Sequence, residues 1–153
     1  MTTDTKALGP LPRWDLSNVY PGLESNEFKR ATSDLTSKID DLDRYLAEKN
    51  IGEAAAANPA ALAEAIGGYL DRMNDTLKLA GTLRAYLFSF VSTDSYNALA
   101  KRLFSELQMQ NGRRQQQDTR FQAWMGRNAA GLPAAIEQNA SAQAHAFYLK
   151  ETA

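Results

Sequence analysis

Apolar residues recur along most of this chain at steps of three and four, the spacing that aligns them on one face of an α-helix. Between Ser25 and Glu48 the stripe is Phe28, Ala31, Leu35, Ile39, Leu42 and Leu46, with Lys29, Arg30, Asp34, Lys38, Asp41 and Lys49 mostly off it. Ser25 is placed to cap this first helix, and Glu27 suits the positive end of its dipole. Asn50-Ile51-Gly52 ends it, and the alanine-rich residues 53–57 read as a helical turn or a loop. Asn58-Pro59 is a start signal, a cap followed by proline at the first helical position. The second stripe is Leu62, Ile66, Tyr69, Met73, Leu77, Ala80, Arg84, Leu87 and Val91. A helix sustained to residue 92 is about 50 Å long at ~1.5 Å per residue. Gly67-Gly68 interrupts it and predicts a kink or a close helix–helix contact, with a hinge as the alternative. Leu87 to Ser92 alternates like a strand but continues the helical stripe, so it is kept helical.

The polar break Ser92-Thr93-Asp94-Ser95 separates a third long helix carrying Leu99, Leu103, Leu107, Gln110, Arg114, Gln117, Phe121 and Trp124. Its middle is rich in glutamine, so it cannot face a dry core throughout; it is solvated or lines a polar cleft. Gly131-Leu132-Pro133 is a break from which Pro133 opens a short helix to Gln138. Residues 141–153 read as one further helix with no stop signal, ending on Phe147, Tyr148 and Leu149 with nothing assigned to cover them, as in a chain that is cut off. Before the first helix, Pro10, Pro12 and Pro21 make residues 1–24 an extended arm. Leu11, Trp14, Leu16, Val19, Tyr20 and Leu23 predict that it packs on the helices, with Trp14 as anchor. The expected fold is therefore all-α: three long antiparallel helices with an extended N-terminal arm, incomplete at the C-terminus. The division is an arm over 1–24 and a helical domain over 25–153.

Composition narrows the chemistry. The net charge of −1 provides no field that recruits nucleic acid or a membrane surface. Residues 98–128 hold six basic side chains against Glu106 and Asp118, but these are spread over many turns, and nucleic acid is not an expected partner. No charge-free apolar run approaches the ~20 residues of a transmembrane helix, and the N-terminus lacks the apolar core of a signal peptide, so a cytoplasmic protein is expected. With no cysteine there is no disulfide, thiolate nucleophile or cysteine zinc site. His145 is the one histidine, too few for a His-Glu-x-x-His zinc helix or for a Ser–His pair in a useful setting, and reads as structural. Asp40, Asp41 and Asp43 lie beside Lys38 and Arg44 and read as a solvated face. No glycine-rich phosphate loop is present.

Leu11-Pro12-Arg13-Trp14-Asp15-Leu16-Ser17-Asn18-Val19-Tyr20-Pro21-Gly22 resembles the opening of oligoendopeptidase F-like zinc metallopeptidases, in the thimet-oligopeptidase group. Asn18 stands where that family commonly has aspartate. Leu83 to Phe90 with Thr93-Asp94-Ser95, Phe121 to Trp124, and His145 to Glu151 are similar to later parts of its N-terminal region. The resemblance implies a parent enzyme that hydrolyses oligopeptides with a zinc-activated water. Its zinc-binding and catalytic residues would lie in a missing C-terminal catalytic domain, so no catalytic or metal residue is assigned here. It also implies that these helices wall a substrate cleft; the glutamine-rich face of the third helix makes Gln110, Arg114 and Gln117 the expected cleft residues. The competing expectation is a stand-alone helical protein-interaction module without enzymatic activity.

Overall fold

A computed structural model describes residues 15–153 of the chain. Ser25 accepts from the Phe28 amide and starts α1, Asn26–Glu48. Its end has a specific geometry. Asn50 takes a left-handed φ of 53°, the Ile51 amide reaches back to the Leu46 carbonyl, and the Asn50 amide reaches Ala47. This pair of bonds closes the last turn and drives Ile51 into the core, where it is fully buried. Residues 53–58 form a loop. Asn58 then caps α2, Pro59–Thr93, by accepting from the Ala61 amide.

Asp94 ends α2, but the cap of α3, Ala98–Arg127, is Asn97 rather than a residue of the 92–95 break. A short 3-10 turn over Ala129–Gly131 leads into α4, Leu132–Gln138, with Pro133 in its first turn. The last stretch is two helices rather than one: α5, Ala140–Ala144, and α6, Ala146–Thr152. They part at His145, whose backbone (φ −109°, ψ 19°) leaves the helical range while its ring meets Asn74 at 3.0 Å. The protein is all-helical, with no strand among the described residues.

Tyr45 of α1 donates to the Glu64 carbonyl of α2, Asp41 pairs with Arg72, Lys38 with Asp75, and Phe28 packs near Tyr86. Between α2 and α3, Tyr69 stacks on Phe121 at 3.7 Å between centroids, Met73 accepts from Arg114, and Phe88 lies beside Phe104. The paired glycines of α2 serve close contact: a Cβ at Gly67 would strike Asn139, and one at Gly68 would strike the Tyr45 hydroxyl. Helix α2 runs unbroken through both.

The buried face of α2 departs from the single stripe expected of it. Leu77 is 44% exposed and Arg84 is exposed, while Thr76, Leu83 and Tyr86 are buried. A 35-residue helix touched by both α1 and α3 buries a wide band, and the step from Met73 goes to Thr76 rather than Leu77. The arm is seated in part: Leu16, Tyr20 and Leu23 pack on the helices and the Tyr20 carbonyl accepts from Tyr86, but Val19 is exposed. Trp14 and Leu11 lie outside the described residues.

Two hydrophobic clusters result among the described residues. One joins Leu42, Leu46, Ile51, Ile66, Tyr69, Phe121 and Trp124 with Leu132, Ile136 and Leu149 of the C-terminal helices. The other joins Phe28, Leu35, Ile39, Leu83, Tyr86, Leu87 and Leu107 beneath the arm.

Candidate functional site

The three expected cleft residues lie on one stripe of α3, spaced four and three apart, as a helix requires of side chains on a common face. Gln117 is only 4% exposed, and its Nε2 donates to the Ile39 carbonyl of α1 at 2.9 Å. It thus points into the α1–α3 contact. Arg114 is half-buried and reaches the Met73 sulfur with Nη1 at 3.9 Å. Gln110 is half-buried and belongs to a concave site of about 290 Å³ between α1 and α3. The floor of that site is Leu35, Leu83, Leu87, Leu103 and Leu107; Lys29, Thr32, Thr36 and Glu106 stand around it. A shallower depression between α1 and α2 has Asp34, Lys38, Asp75 and Lys78 at its edge, and there Lys38 and Lys78 both pair with Asp75.

Below Arg114, Asp118 gathers three donors. Tyr69 and Tyr148 hydroxyls reach Oδ1 at 3.0 and 3.2 Å, and Gln122 reaches Oδ2 at 2.9 Å. Burial, and then the Asp118 charge and hydrogen bond, push the Tyr69 hydroxyl far above the usual phenol range, so it stays a proton donor. This cluster fastens α6 to α2 and α3. It holds Tyr148 half-buried and Leu149 fully buried, while Phe147 is 81% exposed.

The Asp40, Asp41 and Asp43 group lies on a solvated face and also makes interhelical ties. Arg113 of α3 bonds Asp40 at 2.8 Å and Asp43 at 2.9 Å, and Arg72 of α2 bonds Asp41 at 3.0 Å while lying over the Tyr45 ring. Spacing within α1 shows the Arg44–Asp41 pair but could not reveal Arg72, 31 residues from Asp41, or Arg113, 70 and 73 residues from Asp43 and Asp40. The loop after α1 is held in the same long-range manner. Trp124 Nε1 donates to the Ala54 carbonyl at 2.7 Å, the Ala56 amide donates to Asn128, and Arg127 donates to the Gly52 carbonyl. Neither Trp124 nor Asn128 carries a sequence signal for this role beyond being an aromatic and an amide near a helix end.

Among the described residues no three or more His, Cys, Asp or Glu side chains gather as they would around a metal ion. No described helix is long and apolar enough to cross a membrane. Comparison with protein-family models, curated proteins and solved structures finds no match to this chain.

Proposed function

We propose that this chain is the N-terminal helical portion of a cytoplasmic zinc metallo-oligopeptidase of the oligoendopeptidase F-like kind. In this reading its long helices help wall the cleft that admits oligopeptides, and a C-terminal catalytic domain supplies the zinc. The reading is carried by the segment Leu11 to Gly22, whose Pro-x-Trp-Asp-Leu-Ser order is hard to obtain from helix-forming composition alone. The three long helices are inferred to be antiparallel in sequence order. Support comes from pairings that descend along α2 as they ascend along α1 (Phe28 with Tyr86, Asp41 with Arg72, Tyr45 with Glu64).

Of the three glutamine-stripe residues, Gln110 is the one on a concave surface and is the substrate contact of choice. The deciding experiment is to read the coding DNA beyond Ala153. An in-frame His-Glu-x-x-His supports the proposal, and its absence sinks it. Given the full enzyme, Gln110→Ala should raise KM for peptides while leaving kcat in place; unchanged kinetics remove Gln110 from the cleft. The second reading, a helical interaction module, expects Phe147, Tyr148 and Leu149 all to be buried; Leu149 is buried and Tyr148 half-buried on the chain's own helices, which favours it, while Phe147 is exposed.

A further inference from the structure

Between the two hydrophobic clusters, α3 carries three polar atoms that bulk solvent does not reach and no group among the described residues satisfies: Gln110 Oε1, Arg114 Nε and Gln117 Oε1. The Gln117 amide cannot be reversed to mend this, because its Nε2 is committed to the Ile39 carbonyl, which fixes Oε1 on the opposite side. Arg114 spends Nη1 on the Met73 sulfur, a weak acceptor. One donor and two acceptors are therefore left on a single stripe; Arg114 lies one turn from each glutamine, and Gln110 and Gln117 are about 10 Å apart along the axis, so a shared ligand sits where both amides turn toward the guanidinium.

We propose that this layer binds one internal water molecule, which accepts from Arg114 Nε and donates to Gln110 Oε1 and Gln117 Oε1. The stoichiometry selects water. It has two hydrogens and two lone pairs, enough to donate to both glutamine oxygens and accept from Arg114 Nε. An anion would suit Arg114 but would face the lone pairs of Gln117. A metal cation would suit the glutamine oxygens but would face the guanidinium. Water also serves either orientation of the Gln110 amide, since it can exchange a donated bond for an accepted one. The site would join the two clusters through a hydrogen-bonded layer.

The test is a crystal structure of this chain at a resolution that shows ordered water, with solution NMR cross-relaxation between water and the Gln117 side-chain amide. The expected result is a single density peak within ~3.2 Å of all three atoms, and a water–Gln117 cross peak that disappears in Gln110→Leu/Arg114→Met while the Gln117 bond to Ile39 persists. Arg114 Nε bonded directly to either glutamine oxygen, with no density between them, would overturn the proposal. So would a peak that scatters as a bound ion, or a cross peak unchanged in the double variant.

Discussion

Asn128 shows how much a single amide contributes at the junction between α3 and the loop that follows α1. The residue is 8% exposed. Its Oδ1 accepts from the Ala56 amide at 2.9 Å, and its Nδ2 donates to the Trp124 carbonyl at 2.8 Å, one of the carbonyls at the C-terminal end of α3. Asn128→Ala removes both partners at once. The Trp124 carbonyl is buried and should incur the upper part of the ~1–3 kcal/mol cost of an unsatisfied group; the Ala56 amide is half-buried and can recover water, so it falls at the lower end. Together they predict a loss of about 3–4 kcal/mol. With a urea m-value of about 2 kcal/mol per molar, the unfolding midpoint should fall by ~1.5–2 M. Asn128→Asp keeps the acceptor for Ala56 and loses the donor to Trp124, so its midpoint should lie between. The assay is urea unfolding followed by circular dichroism and tryptophan fluorescence, with exposed Gln115→Ala as control. A midpoint for Asn128→Ala within ~0.3 M of that control, at an unchanged m-value, would refute the view that these two bonds secure the loop.

The glycines give opposed expectations. Gly68→Ala should destabilise the protein because its methyl would meet the Tyr45 hydroxyl, whereas Gly81→Ala, with nothing within 4 Å, should raise stability by up to ~1 kcal/mol in thermal melts. Removing Arg113 with Arg113→Ala should cost about 1 kcal/mol or less, since its partners are roughly half exposed, and the difference should shrink at high salt. Stability should hold steady up to about pH 10 and then decline. Burial raises the Tyr69 pKa in the folded state, so the unfolded chain loses its phenol proton first, and the native state loses ground as pH rises above the unfolded value of 10.0. Urea midpoints against pH should show a shallower alkaline decline in Tyr69→Phe; an identical decline would mean Tyr69 is not the buried phenol responsible.

Helices α1 and α2 were legible because their signals are local. Ser25 and Asn58 cap the turns that immediately follow them, and Phe28, Leu35, Ile39 and Leu42 repeat at the pitch of the helix they form. The polar middle of α3 was legible as an anomaly, but its meaning was not. A glutamine at position 117 reads the same in sequence whether its amide meets solvent, a peptide or the Ile39 carbonyl. The C-terminal stretch misled in a related way. Residues 141–153 have the composition of one helix, and the break at His145 accompanies its contact with Asn74, some seventy positions earlier. The Asp40, Asp41 and Asp43 cluster is solvated as its spacing suggested, but its ties to Arg113 and Arg72 join residues distant in the chain.

By itself, then, the sequence determined the all-helical class, the ends of the first two helices and most of the apolar positions that bury. Each of these depends on residues within one or two turns of one another, where spacing alone sets the geometry. Only the tertiary structure decided the rest: that Thr76 and not Leu77 faces inward, that the core divides into two clusters with a polar layer between them, and that Asp118 and Asn128 fasten segments the chain separates widely. Those outcomes depend on which helix packs against which, and at what height. That is a property of the assembled volume and its unsatisfied hydrogen-bonding groups, which no periodicity along the chain encodes.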